Sequence, residues 1–171
     1  MTLTELQRNW LFYRIPGETS KDDCEWLASL AAKVSSWTEI GVYAGRSMLA
    51  VALALPPHSL LQLVDIKFHP QFQRSRHILS IQRPDLKVVV SECSSPLAAL
   101  TLRDTDVVFV DGDHSYQGVC DDIKAWGQKC RILCGHDYLQ KFPGVVQAVT
   151  ELIPHFTIHS ESIWMRTAEA A

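Results

Sequence analysis

The sequence predicts an α/β protein: an open, mostly parallel seven-stranded sheet, helices on both faces, and an antiparallel hairpin at the C-terminal end. Three observations predict it. Short apolar runs alternate with stretches of helical spacing along almost the whole chain. That alternation calls for right-handed crossovers between parallel strands. Gly41, Asp65, Glu92, Asp111 and Asp137 recur where the runs end, and in such sheets ligands bind beyond the carboxyl ends of the strands. The length, 171 residues with 47% hydrophobic and 20% charged, suits one folded domain.

The elements follow in order. An aromatic arm, Leu3 to Ile15, is broken by Pro16-Gly17. Ser20 with Asp23 three residues on reads as a capping box, and the helix behind it puts Cys24, Leu27, Leu30, Ala31 and Val34 on one face. A strand from Trp37 to Ile40 ends in Gly41. A helix from Arg46 to Leu55 is stopped by Pro56-Pro57. The run Leu60 to Val64, broken only by Gln62, reads as a central strand ending at Asp65. The polar stretch Lys67 to Arg83 is helical in its second half, and Lys87 to Val90 is the third strand. Helix Pro96–Leu102, strand Asp106–Val110, helix Tyr116–Trp126, strand Arg131–Cys134 and helix Val145–Ile153 continue the alternation. Phe156–His159 and Ile163–Arg166 form the closing hairpin.

Composition excludes several classes. A net charge of −3 argues against nucleic-acid binding by counterion release. The longest apolar run, Met48 to Leu55, is too short to span a membrane. The first residues lack the basic start and apolar core of a secretion signal. Cys24, Cys93, Cys120, Cys130 and Cys134 are odd in number and contain no C-x-x-C, so they read as free thiols in a reducing cytoplasm.

Four motifs carry chemistry. Glu39-Ile40-Gly41-Val42-Tyr43-Ala44-Gly45-Arg46-Ser47 runs from strand to helix. Its glycines permit a tight turn, and the helix N-terminus can receive a carboxylate or phosphate. Tyr43 departs from the dinucleotide pattern G-x-G-x-x-G. Asp65, about 20 residues on, is placed to accept both hydroxyls of a ribose. Asp111-Gly112-Asp113-His114-Ser115-Tyr116 and Gly135-His136-Asp137-Tyr138 each put Asp and His on a loop after a strand, where they can bind a cation, act as a base or contact a cofactor. The plainer reading is that Asp113 and Ser115 cap the next helix. The basic stretch Lys67, His69, Arg74, Arg76, His77 greets an anionic acceptor or is a solvated helix face. Of the five tryptophans (10, 26, 37, 126 and 164), most read as core or interface anchors.

In this order the motifs resemble class I S-adenosylmethionine-dependent methyltransferases with a Rossmann-like sheet. The resemblance is strongest to a small methyltransferase-domain group with D-G-D-H-S-Y, and the first motif is similar to that of catechol and caffeoyl-coenzyme A O-methyltransferases. It covers the chain from about Gly17 to Arg166, leaving residues 1–16 as the aromatic arm and 17–171 as the methyltransferase domain. It implies Glu39, Gly41, Tyr43, Gly45 and Ser47 near the methionine part of the cofactor, Ser47 at its carboxylate. Asp65 would hold the ribose diol, and Glu92 and Cys93 would lie beside the adenine, with Cys93 replacing a serine. Asp111 and Asp137 stand where metal-dependent relatives hold a magnesium or calcium ion, and Asp111 also borders the cofactor.

The implied function is methyl transfer to a small-molecule acceptor, through a hydroxyl oxygen, without nucleic acid or membrane partners. His114 and His136 are the candidate bases, with Asp111 beside them. Two other readings stand beside it. A metal-dependent phosphoesterase-like hydrolase would use the D-G-D-H and G-H-D loops but needs a second ligand cluster where Gly41-Val42-Tyr43 stands. A cofactor-binding subunit without catalysis is the other. The arm, with Trp10, Leu11, Phe12, Tyr13 and Ile15, closes over the cleft, packs against a second copy in a homodimer, or covers its own core.

Overall fold

The computed structural model describes Thr4, Gln7 and residues 14–167. Along them run α1 (Lys21–Ala31), β1 (Ser36–Ile40), α2 (Arg46–Ala54), β2 (Leu60–Asp65), α3 (Phe72–Gln82), β3 (Lys87–Glu92) and α4 (Ser95–Thr101). Then come β4 (Thr105–Val110), α5 (Tyr116–Trp126), β5 (Cys130–Gly135), α6 (Pro143–Leu152), β6 (Thr157–His159) and β7 (Ile163–Thr167). The seven strands lie in the order β3-β2-β1-β4-β5-β7-β6. β1 to β5 are parallel, and β7 is antiparallel to both β5 and β6. The chain leaves β1 in one direction for β2 and β3, then returns to place β4 on its other side. That reversal opens a crevice at the carboxyl ends of β1 and β4.

Period-two alternation splits the core into two layers. Val107 and Phe109 of β4 pack with α1, α2 and α3, against Leu27, Met48, Leu49 and Phe72. Val108 and Val110 pack with α4, α5 and α6, against Ala98, Val119, Ile123, Trp126 and Val149. Trp37, Trp126 and Trp164 are fully buried core residues, while Trp26 stacks on His159 at 4.8 Å between ring centres. The capping box at Ser20 and Asp23 is present, with Asp23 N–H donating to Ser20 Oγ and Ser20 N–H to Asp23 Oδ2, both at 3.1 Å. α1 ends at Ala31, earlier than its apolar stripe predicts; Val34 is still buried, but from the turn after the helix. Trp10 to Tyr13 of the arm lie outside the described residues. Ile15 is buried in the α1–α2 layer, and Arg46 holds the chain there by donating to the carbonyls of Ile15 and Thr19, both at 2.9 Å.

The one polar residue in the β2 run is satisfied by a buried network. Gln62 Nε2 donates to Thr38 Oγ1 and to the Arg103 carbonyl, both at 2.9 Å, and Thr38 Oγ1 meets Thr105 Oγ1 at 2.9 Å. At the amino ends of the strands Asp106 Oδ2 accepts from the backbone N–H and hydroxyl of both Ser35 and Ser36, at 2.8–3.0 Å. Partial burial opposes ionisation there, but these four donors outweigh it and lower the carboxyl pKa. A depressed folded pKa stabilises the fold above the unfolded value and loses that contribution as pH falls through the folded one. Asp106→Asn is therefore expected to lose about 1–2 kcal/mol at neutral pH. The gap should close below about pH 4 in urea unfolding; a gap independent of pH contradicts the ionic clamp.

Candidate active site

A cavity of about 640 Å³ opens at the carboxyl ends of β1, β2 and β4. Its floor exists because of Gly41. That residue has φ +81°, and a Cβ on it would lie 2.1 Å from the Asp111 carbonyl oxygen and 2.6 Å from Gly112 Cα. Only glycine lets the exits of β1 and β4 pass this close. Gly45, at φ +89°, then starts α2 with no side-chain cap, leaving the first amides of the helix, at Arg46 and Ser47, beside the cavity. Tyr43 takes φ +49° between the two glycines. Its ring is half exposed and packs on His69 at 4.5 Å.

Two carboxylates flank this turn. Asp65 accepts from Tyr43 N–H at 2.8 Å through Oδ2 and from Lys67 N–H at 3.0 Å through Oδ1. Each oxygen has a second lone pair, so a diol can still donate to it. Glu39 is fully buried. Ser47 Oγ donates to its Oε1 at 2.7 Å, and Oε2 has no partner. Burial pushes the Glu39 carboxyl up to about 8, against the bond from Ser47. An orphaned acid beside a helix N-terminus fits a zwitterionic ligand, whose ammonium would ionise Glu39 and whose carboxylate would face the α2 amides.

The other wall is a cluster of histidines and carboxylates. His114 Nε2 lies 2.8 Å from Asp137 Oδ2 at the cavity rim, with the histidine side chain 41% exposed. Partners in the next layer hold His136, which is 5% exposed. Its Nε2 meets Asp23 Oδ2 at 3.2 Å, and its Nδ1 lies 3.2 Å from Asp137 Oδ1 and 3.5 Å from Asp111 Oδ1. Burial alone would lower the His136 pKa, but three surrounding carboxylates outweigh it and push it up to about 12. For Asp137, burial favours the neutral acid, yet His114 and His136 hold the carboxyl well below the usual range. Asp111 is raised by burial, against His136. Asp137 carries this double contact in a left-handed conformation, φ +61°.

His136 has carboxylates near both ring nitrogens and does not line the cavity, whereas His114 stands at its rim. Asp111, His136 and Asp137 bring three ligand atoms within 4.8 Å of one another. Magnesium and calcium take shells of oxygen, and an imidazole nitrogen between two carboxylates is a poor match for either ion.

Gly41, Tyr43, Ser47, Asp65, Cys93, Asp111, His114 and Asp137 line the cavity. Glu39, Gly45 and His136 are not among its lining residues, Glu39 and His136 being buried. Nor is Glu92. β3 runs on to pair it with Asp65, and its side chain is exposed. Asp113 and Ser115 form a helix cap: Ser115 N–H donates to Asp113 Oδ1 at 2.9 Å, and Gly118 N–H donates to Ser115 Oγ at 3.1 Å. Arg74, Arg76 and His77 form a solvated helix face, but Lys67 lines the cavity. Sequence reasoning missed three participants. Asp23 reads only as a cap, and nothing local signals its reach to His136. Arg46 sits inside the first motif without a pattern of its own. Asp122 had a signal: an acid on the apolar stripe of α5 between Val119 and Trp126.

A glycine turn after the first strand, an acid after the second, and acids after the fourth and fifth, all around one cavity, define a class I S-adenosylmethionine-dependent methyltransferase. The sequence matches the family model described as a methyltransferase domain over residues 38–138, more than half of the chain, and the chain belongs to that family. No curated protein sequence matches it. The chain is similar in fold to an O-methyltransferase from Bacillus cereus in complex with SAH, at TM-score 0.71 and 13% identity, over 97% of this chain and 92% of that one. It is similar also to the O-methyltransferase TomG from Streptomyces achromogenes, involved in tomaymycin synthesis and in complex with SAM. There the TM-score is 0.68 and the identity 12%, over 96% and 90% of the two chains. A precorrin-6y C5,15-methyltransferase from Geobacter metallireducens reaches TM-score 0.65 at 11% identity, over 91% and 93%. No phosphoesterase reading survives the family match.

Glu39 gives the site a pH signature. A carboxyl whose folded pKa lies above its unfolded one contributes less stability as pH rises from about 4.5 to about 8. Glu39→Gln has no such loss. Without ligand, its stability relative to the parent chain should rise across that window by on the order of 1–3 kcal/mol. Urea unfolding at the two ends of the window reads this; an unchanged difference contradicts a neutral buried Glu39.

Proposed function

We propose that the chain transfers the methyl group of S-adenosylmethionine to a hydroxyl oxygen of a small molecule, with His114 taking the hydroxyl proton. The observation that carries this reading is the 2.8 Å contact between His114 Nε2 and Asp137 at the rim of the cavity. Asp137 fixes the ring so that Nε2 carries the hydrogen, leaving Nδ1 able to accept one. When bound, the cofactor supplies a methyl group activated on a sulfonium. Glu39, Gly41, Tyr43, Gly45 and Ser47 would hold its amino acid part, Asp65 its ribose, and the segment at Cys93 its base. His114 removes the acceptor proton as the new O–C bond forms and the C–S bond breaks. Asp111 borders the same space. His136 supplies its positive charge from behind Asp111 and Asp137, and keeps both carboxylates in place.

Gly17, Glu18 and Thr19 also line the cavity, next to the segment that Arg46 tethers. We read residues 1–16 as an arm that closes over this cavity, within one chain or across a homodimer. Among the described residues no helix is long and apolar enough to cross a membrane. All five cysteines are unpaired, which supports a reducing, cytoplasmic setting.

His114→Ala tests the reading. S-adenosylhomocysteine formation with a panel of phenols, catechols and hydroxy acids should fall about 10²–10⁴-fold. Affinity for S-adenosylhomocysteine should stay unchanged, and a chelator should leave the parent activity intact. Full turnover by His114→Ala removes the base assignment. Loss of activity on chelation restores a metal.

A further inference from the structure

Three groups of residues line the cavity. Gly41, Arg46 and Ser47 suit an amino acid, and Asp111, His114 and Asp137 suit an acceptor. The third group is the loop Cys93–Pro96 after β3 with Gly118, Asp121 and Asp122 of α5. A nucleoside whose ribose rests on Asp65, with its amino acid end at α2, would place its base against this third group. Glu92, the acid that the family pattern would offer to the base, is exposed and outside the cavity.

We propose that Asp122, from the middle of α5, is the residue that selects adenine, by accepting a hydrogen bond from the exocyclic amino group. This inference rests on the reading of the cavity as an S-adenosylmethionine site. Asp122 belongs to this group and is only 5% exposed. Its Oδ2 lies 3.6 Å from where a Cβ on Gly112 would stand, at the carboxyl end of β4. Ser95, which accepts from Trp126 Nε1 at 2.8 Å, offers its hydroxyl to the Asp122 carboxylate. One hydroxyl does not satisfy a carboxylate with about four acceptor sites. Among the described residues no lysine or arginine repays the burial, which raises the pKa of Asp122 to about 6, with Asp113 and Asp121 adding to the rise. An amino group that only donates fits the vacancy. A carbonyl at the same purine position would set acceptor against acceptor.

The test compares two ligands by calorimetry: S-adenosylhomocysteine, and S-inosylhomocysteine, which has a carbonyl in place of the amino group. The parent chain should favour the adenine compound by at least about tenfold, as expected when a buried acceptor faces the wrong group. Asp122→Asn, whose amide can donate as well as accept, should narrow that preference to about threefold or less, and Asp122→Ser should narrow it likewise. Equal binding of the two ligands by the parent chain overturns the proposal. So does an unchanged ratio in either folded Asp122 variant. If the parent chain binds neither ligand, the cofactor reading itself fails; if it binds the adenine compound and Asp65→Ala weakens it, only the Asp122 assignment is at stake.

Discussion

Everything in the site depends on one close approach, that of the Gly41 backbone to the Asp111 carbonyl where β1 and β4 leave the sheet. The 2.1 Å left for a side chain there is no space at all. Because the strands can converge, the turn at Gly41–Gly45 folds down against the sheet. Tyr43 N–H then reaches Asp65 across the β1–β2 boundary, and Ser47 reaches back to Glu39. The same contact fixes Asp111, which faces His136 and the end of β5. A larger residue would part β1 from β4 at the place where both the cofactor and the acceptor must meet.

The second organising feature is electrostatic. Three carboxylates, from α1, β4 and β5, surround one buried imidazole, so a helix at the start of the chain is tied to the carboxyl ends of two central strands. Separating one partner from such a group leaves a buried charge uncompensated. Asp137 divides its two oxygens between the buried His136 and the rim-exposed His114. Two histidines that look alike in sequence therefore sit in different surroundings. One is buried among three carboxylates; the other is exposed at the cavity rim.

Much of this was legible in the sequence. The strand order could be argued from apolar runs, and the site from residues at their ends, because in a parallel sheet those ends converge whatever the side chains between them. Gln62 was visible as an exception in an apolar run, but not its partners, which come from Thr38 and the Arg103 carbonyl. The different surroundings of His114 and His136 were not legible, since that of His136 depends on Asp23, more than a hundred residues away. Glu92 lies outside the cavity because β3 continues two pairs beyond its apolar run, through Ser91 and Glu92. Asp122 stood in plain view on a buried helical stripe, where an acid requires a reason.

The central claim is that one cavity holds the cofactor on Asp65 and Glu39 while His136, not a metal ion, provides the positive charge between Asp111 and Asp137. A crystal structure of the chain grown with S-adenosylhomocysteine and magnesium tests it most directly. The account predicts the ribose on Asp65, the amino group beside Glu39, and His136 still seated between the two carboxylates with no ion there. A ligand bound elsewhere, or a magnesium ion coordinated by Asp111 and Asp137 with His136 displaced, would contradict it.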